Sequence, residues 1–258
     1  MDNNTNIFIA APPEFIESAG RSGLTVAHMI YRIGRGYRLY RAQGAEVKNG
    51  GVMVLDTDGF TGGGPVSELV AEILTECARH NFTGIVLETG DKAPPAAASL
   101  AVRLSAAAAE QSLTLYIQEA LAPACPTGVV LIQSALSGGR LSDHLGDAVT
   151  RYGAHRVALE IERVKMDFLV PAVTGAGRAL APGEFEALLA EYKPQTFLSN
   201  DLCANYFTYR NKKGTHFVLF DTAASIRRKL AVAQRLGITT AFLYYPHVSD
   251  LLGKILEP

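Results

Sequence analysis

Four carboxylates stand where apolar runs give way to polar loops. Asp56 follows Val52-Met53-Val54-Leu55, Asp58 lies two residues further on, Glu88 closes Gly84-Ile85-Val86-Leu87, and Glu160 falls within Val157-Ala158-Leu159-Glu160-Ile161. Carboxyl groups that converge would raise one another's pKa, a common device of active sites, and a protonated carboxyl is what general acid catalysis needs. Gln118 and Gln133 close two further apolar runs, and Tyr244 and Tyr245 close the last. Amides supply donors and acceptors together, and a phenol ring supplies a flat apolar face with a polar edge. The structural alternative is that Arg163 and Lys165, or water, neutralise the carboxylates. Asp56, Asp58 and Glu88 offer the oxygen donors that suit magnesium or calcium, but the expectation is no metal and no cofactor. His28, His80, His144, His155 and His216 show no metal-binding spacing.

These residues need elements that bring them together. Short apolar strands are expected at 7–10, 52–55, within 81–91, and at 113–118, 129–133, 156–163 and 239–245, with a strand running into a Gly34-Arg35-Gly36 hairpin within 24–40. Between them lie helical stripes. The clearest is Val66, Leu69, Val70, Ile73, Leu74 and Cys77, one face at 3, 4, 7, 8 spacing. Others carry Leu145, Val149 and Tyr152, or Phe185, Leu188, Leu189 and Tyr192, or Ile226, Leu230 and Leu236. Eight strand-then-helix units in 258 residues fit a closed (β/α)8 TIM barrel, read as one domain over 1–258. A small β insertion is expected at 194–221, before the last helix. A doubly wound open sheet is the alternative.

In a barrel, strand residues alternate between the inside and the helices, and chemistry gathers at the strands' C-terminal ends. The alternation turns Val54, Asp56 and Asp58 inward on one strand, and Val86, Glu88 and Gly90 on the next. Gln118, Gln133, Glu160 and Glu162 are similarly placed, with Tyr244 or Tyr245 and His247 at the last strand. Arg32, Arg35, Arg38 and Arg41 crowd the hairpin, as a solvated face or an anion site.

Composition removes several function classes. Apolar residues make up 48% and the net charge is −1, so no basic excess points to nucleic acid. Gly62-Gly63-Gly64 lacks the Lys-Ser/Thr of a phosphate loop. Cys77, Cys125 and Cys203 are widely spaced and read as reduced core thiols. No apolar run reaches the ~18 residues of a membrane span, and Met1-Asp2-Asn3-Asn4 begins no secretory leader. The expected location is the cytoplasm.

Two stretches resemble glycoside hydrolase family 18, in its spore-cortex and peptidoglycan N-acetylglucosaminidase branch. One runs through Tyr206-Phe207-Thr208-Tyr209, Gly214-Thr215-His216, Phe220-Asp221, Ser225-Ile226, Lys229-Leu230 and Gly237 to the last strand. The other joins the Asp56 strand, the following helix and Phe82-x-Gly84, with Tyr31-Arg32 resembling an early strand. The resemblance implies a barrel, a carbohydrate or cell-wall glycan as partner, and a spore-associated setting. It also implies losses. Anchored on Gly84, the family's Asp-Gly-x-Asp-x-Asp-x-Glu signature falls on Thr83, Val86, Glu88 and, at its catalytic glutamate, Gly90. The tyrosine and aspartate of the sixth strand are missing from Gln133-Ser134-Ala135-Leu136. The last strand's tryptophan becomes Tyr244 or Tyr245. In this family the glutamate protonates the glycosidic oxygen while the substrate's acetamide attacks, oriented by the aspartate and tyrosine. Three readings follow. The chain is a degenerate barrel that binds glycan or serves assembly, or a hydrolase using Glu88 or another mouth carboxylate, or a barrel enzyme of unrelated chemistry built on Asp56, Glu88 and Glu160.

Overall fold

The computed structural model describes residues 5–34, 36–89, 93, 95–171 and 177–257. Its strands are β1 (Asn6–Ala11), β2 (Thr25–Ile33), β3 (Leu39–Arg41), β4 (Val52–Asp56), β5 (Gly84–Glu88), β6 (Thr114–Gln118), β7 (Val129–Gln133) and β8 (Val157–Ile161). There follow β9 (Lys165–Val170), β10 (Arg178–Ala179), β11 (Phe197–Ser199), β12 (Ala204–Asn211), β13 (Gly214–Phe220) and β14 (Thr240–Tyr244). The helices are α1 (Ile16–Gly20), α2 (Val66–Arg79), α3 (Pro95–Glu110), α4 (Leu141–Tyr152), α5 (Glu184–Tyr192), α6 (Ala223–Arg235), α7 (Tyr245–Val248) and α8 (Leu252–Leu256).

Eight parallel strands, β1-β2-β4-β5-β6-β7-β8-β14, close into a ring because β1 pairs with both β14 and β2. Closure excludes the open sheet. The helices turn their apolar stripes inward onto the strands: Leu69, Val70, Ile73 and Cys77 of α2 are buried against the outside of the ring. The inside is a separate core of Phe8, Ala27, Val52, Val54, Val86, Tyr116, Leu131, Ala158 and Phe242. Phe8 stacks on Phe242 at 4.9 Å, and Tyr116 meets Phe242 edge-on at 5.0 Å. This aromatic plug makes the barrel a packed core with an open upper mouth. Gly84 is required by packing: a Cβ there would sit 2.7 Å from the Thr114 carbonyl oxygen. The hairpin expectation holds, with β3 antiparallel to β2.

The insertion is larger than the pattern suggested. It starts at β9, not at 194, and forms a five-stranded sheet in the order β10-β9-β13-β12-β11. The stripe at Phe185 belongs to this sheet and not to the barrel. Phe185 packs on Phe220 and Phe207 at 4.9 and 6.2 Å. The neck of the insertion is a clamp. Val164 N–H donates to Asp221 Oδ2 at 2.9 Å, and Asp221 N–H donates to the Val164 carbonyl at 2.8 Å. Asp221 Oδ2 also meets Lys229 Nζ at 2.6 Å, and Oδ1 accepts from Ser225 Oγ at 2.7 Å. Thr222 caps α6 through a reciprocal bond with Ser225.

Candidate functional site at the barrel mouth

The C-terminal ends of the strands place the candidates. Asp56 and Glu88 end neighbouring strands in register. Glu160 lies in register with Gln133 on one side and Phe242 on the other. Glu88, Gln118, Glu160 and Tyr244 all line one central cavity of about 260 Å³. Its floor is apolar: Val54, Val86, Leu131 and Phe242. Two adjoining cavities continue it. One, of about 740 Å³, holds Asp56, Asp58, Glu88, Thr89 and Arg32. The other, of about 410 Å³, holds Gln118, Gln133, His144 and Glu160. The result is a groove across the mouth with carboxylates, amides and tyrosines along it.

The local backbone fixes these groups. Thr57 donates both its N–H and its hydroxyl to the Glu88 carbonyl, at 3.0 and 2.8 Å. Ser134 N–H donates to the Glu160 carbonyl at 2.9 Å. Thr89, whose side chain is buried, donates to Gln118 Oε1 at 2.9 Å and so orients that amide. Asp56 Oδ1 accepts from Asp58 N–H at 2.7 Å.

Electrostatics follow from the plug beneath. Burial above apolar side chains, then repulsion from Glu162 and Glu88, pushes the Glu160 carboxyl up to about 7. Glu88 is raised as well, first by burial and then by Asp56 and Glu162. Tyr244 is raised by burial and by Glu14, Glu88 and Glu162. Glu160 therefore keeps its proton to higher pH than an ordinary carboxyl. Arg163 and Lys165 are engaged elsewhere. Arg163 is held by both oxygens of Asp250, at 2.7 and 3.0 Å, and Lys165 by Glu186 at 3.1 Å. Among the described residues neither Glu88 nor Glu160 has a side-chain hydrogen bond or an ion pair.

Some sequence candidates separate. Of the two tyrosines, Tyr244 lines the mouth. Tyr245 opens α7 and packs against Phe15 at 5.7 Å in the outer core. Among the described residues no group of three or more His, Cys, Asp or Glu is placed to hold a metal, so the Asp56, Asp58 and Glu88 set does not form an ion site. Gly90 lies outside the described residues. Sequence reasoning missed Met29, Thr89 and His144 at the mouth. Met29 shares the inner face of β2 with Ala27, two residues before it, and reaches the mouth by plain alternation.

No family model matches the chain, and no curated protein matches it either. Solved structures do. The spore cortex-lytic enzyme SleL of Bacillus megaterium QM B1551 superposes with a TM-score of 0.66 at 15% identity, covering 100% of this chain and 76% of that one. A chitinase from Chromobacterium violaceum gives 0.64 at 16% identity, over 96% and 97% of the two chains. The GH18 chitinase of Cycas revoluta, solved with (GlcNAc)3, gives 0.65 at 12% identity, over 96% and 98%. The fold is thus the TIM barrel of glycoside hydrolase family 18 structures, and identities this low carry the fold alone.

Proposed function

We propose that this chain is a saccharide-binding barrel that holds an N-acetylglucosamine-containing glycan across its mouth without the ordinary acetamide-assisted cleavage. One observation carries the binding half: Glu88, Gln118, Glu160 and Tyr244 converge on a single cavity over an apolar floor. A sugar ring presents hydroxyls at its rim and C–H groups on its faces, and this arrangement complements both. The neighbouring structures support the ligand class, one of them bearing (GlcNAc)3 in its name. The other half rests on what the sequence lacks. The proton-donor position of the family signature is Gly90, and the acetamide-orienting pair is replaced within Gln133-Ser134-Ala135-Leu136. Glycine has no proton to give.

A second reading, hydrolysis, is favoured by the Glu160 carboxyl at about 7. A protonated Glu160 would give its proton to the leaving oxygen as the glycosidic bond breaks. The Glu88 side chain would steady the positive charge developing on the sugar carbon until water bonds to that carbon and gives up a proton to Glu160. The two readings part in an assay on fluorogenic N-acetylglucosaminides and on muropeptides, using the intact protein, Glu88→Gln and Glu160→Gln. Absence of turnover in all three supports the binding barrel. Turnover by the intact protein that disappears in either variant replaces it with the hydrolase.

A further inference from the structure

A further cavity lies beside the mouth, between the barrel and the inserted sheet. Its volume of about 720 Å³ falls within the roughly 300–1,000 Å³ of small-molecule sites. It meets the central cavity at Glu162, which lines both, and at His247, whose ring meets Tyr244 edge-on at 4.7 Å. Its walls are mainly apolar: Leu136 from the barrel, Met166, Phe168 and Leu219 from the sheet, and Leu180 and Pro182 ahead of α5. The cations there are engaged elsewhere, Arg163 with Asp250 and Lys165 with Glu186. From Phe168 the apolar surface runs on across the sheet. Phe217, Tyr206 and Phe197 follow on β13, β12 and β11, with successive ring centroids 6.3, 5.1 and 5.6 Å apart. The row crosses three strand spacings, roughly 14 Å. Helix α5 packs on the opposite face through Phe185, so the row looks away from it, and Phe197 at the far end is 45% exposed.

We infer that this cavity receives an apolar chain, alkyl or acyl, carried by a saccharide whose sugar stays at the mouth; this rests on the saccharide-binding reading above. The ring geometry separates a hydrocarbon chain from further sugar units. Phe197 and Tyr206 lie within 29° of parallel, and Tyr206 and Phe217 within 25°. At those separations each ring turns its faces toward its neighbour and leaves mainly edges outside. A pyranose stacks on ring faces, whereas a flexible hydrocarbon packs against edges as well as faces. The cavity makes the same choice. A sugar placed there would bury hydroxyls against Leu136, Met166, Phe168 and Leu219 without partners, and a hydrocarbon leaves no polar group unpaired.

The test is a calorimetric titration with two series of N-acetylglucosamine trimers, all below their micelle concentrations. One series carries methyl, butyl or octyl on the terminal anomeric oxygen. The other carries acetyl, butyryl or octanoyl on the terminal nitrogen. A buried methylene is worth up to about fourfold in affinity. Expected is a gain of at least roughly tenfold from the shortest to the longest chain in one series, with a heat-capacity change that grows more negative. The series that shows the gain identifies the atom that carries the chain. Ala179→Trp fills the cavity and Met166→Glu puts a charge in its wall. Both variants lose the gain, keep the intact protein's melting temperature within a few degrees and bind the methyl trimer as the intact protein does. Equal affinity across both series, or a gain that both variants keep, overturns the chain site and leaves the glycan site standing. Octanol that competes as strongly as the octyl trimer overturns a chain carried by sugar. Failure of every trimer to bind overturns both readings.

Discussion

Lys229 Nζ lies 2.6 Å from Asp221 Oδ2, with the two side chains 1% and 0% exposed. Asp221 is also the residue that ties the outgoing end of the insertion to the incoming end at Val164. A buried ion pair of this kind sets geometry, because neither charge tolerates the loss of the other. Lys229→Met therefore destabilises the protein by roughly 3–5 kcal/mol in denaturant unfolding, by stranding the Asp221 carboxylate. The double change Lys229→Met with Asp221→Asn recovers part of the loss. A single-variant cost below about 1 kcal/mol would show that the pair does not hold the neck.

Glu160 makes stability fall with rising pH. Its folded pKa of about 7 lies above its ordinary value of 4.5. Below 4.5 the group is protonated in both states and costs nothing. Between 4.5 and 7 the unfolded chain releases the proton first, so folding loses ground, and above 7 the full cost remains. That cost is up to roughly 3 kcal/mol, from 1.36 kcal/mol per unit. Glu160→Gln should flatten this part of the pH–stability profile and leave the variant more stable than the intact protein at pH 8. A parallel profile for both proteins would mean that Glu160 ionises normally.

The last-strand tyrosines should give opposite phenotypes. Tyr244→Ala removes a mouth ring and should weaken glycan binding with little change in melting temperature. Tyr245→Ala opens a void beside Phe15 and should lower stability by about 2–4 kcal/mol while sparing affinity. Thermal melts and a binding titration on the two variants settle the matter, and an exchange of the two phenotypes would place the site elsewhere.

Much of this arrangement was legible in the chain before any coordinates. The eight barrel strands declare themselves because each is short, apolar and followed by a polar loop, and period-2 alternation turns Glu88, Glu160 and Gln118 to the inside. The extent of the insertion was not legible. Lys165–Val170 pairs with Gly214–Phe220, some fifty positions away, and local pattern does not reveal a partner that distant. Nor did alternation distinguish Tyr244 from Tyr245, since the strand ends between them and α7 begins. Arg38 and Arg41 of the hairpin pair with Glu72 and Glu76, which another element, α2, supplies.

The most direct measurement is a calorimetric titration of an N-acetylglucosamine tetramer into the intact protein at neutral pH, with the recovered sugar weighed by mass spectrometry. The expected result is saturable binding, greatly weakened in Tyr244→Ala, and tetramer recovered at its original mass. Recovery of shorter sugars, with cleavage abolished by Glu160→Gln or Glu88→Gln, would contradict a barrel that binds without cutting.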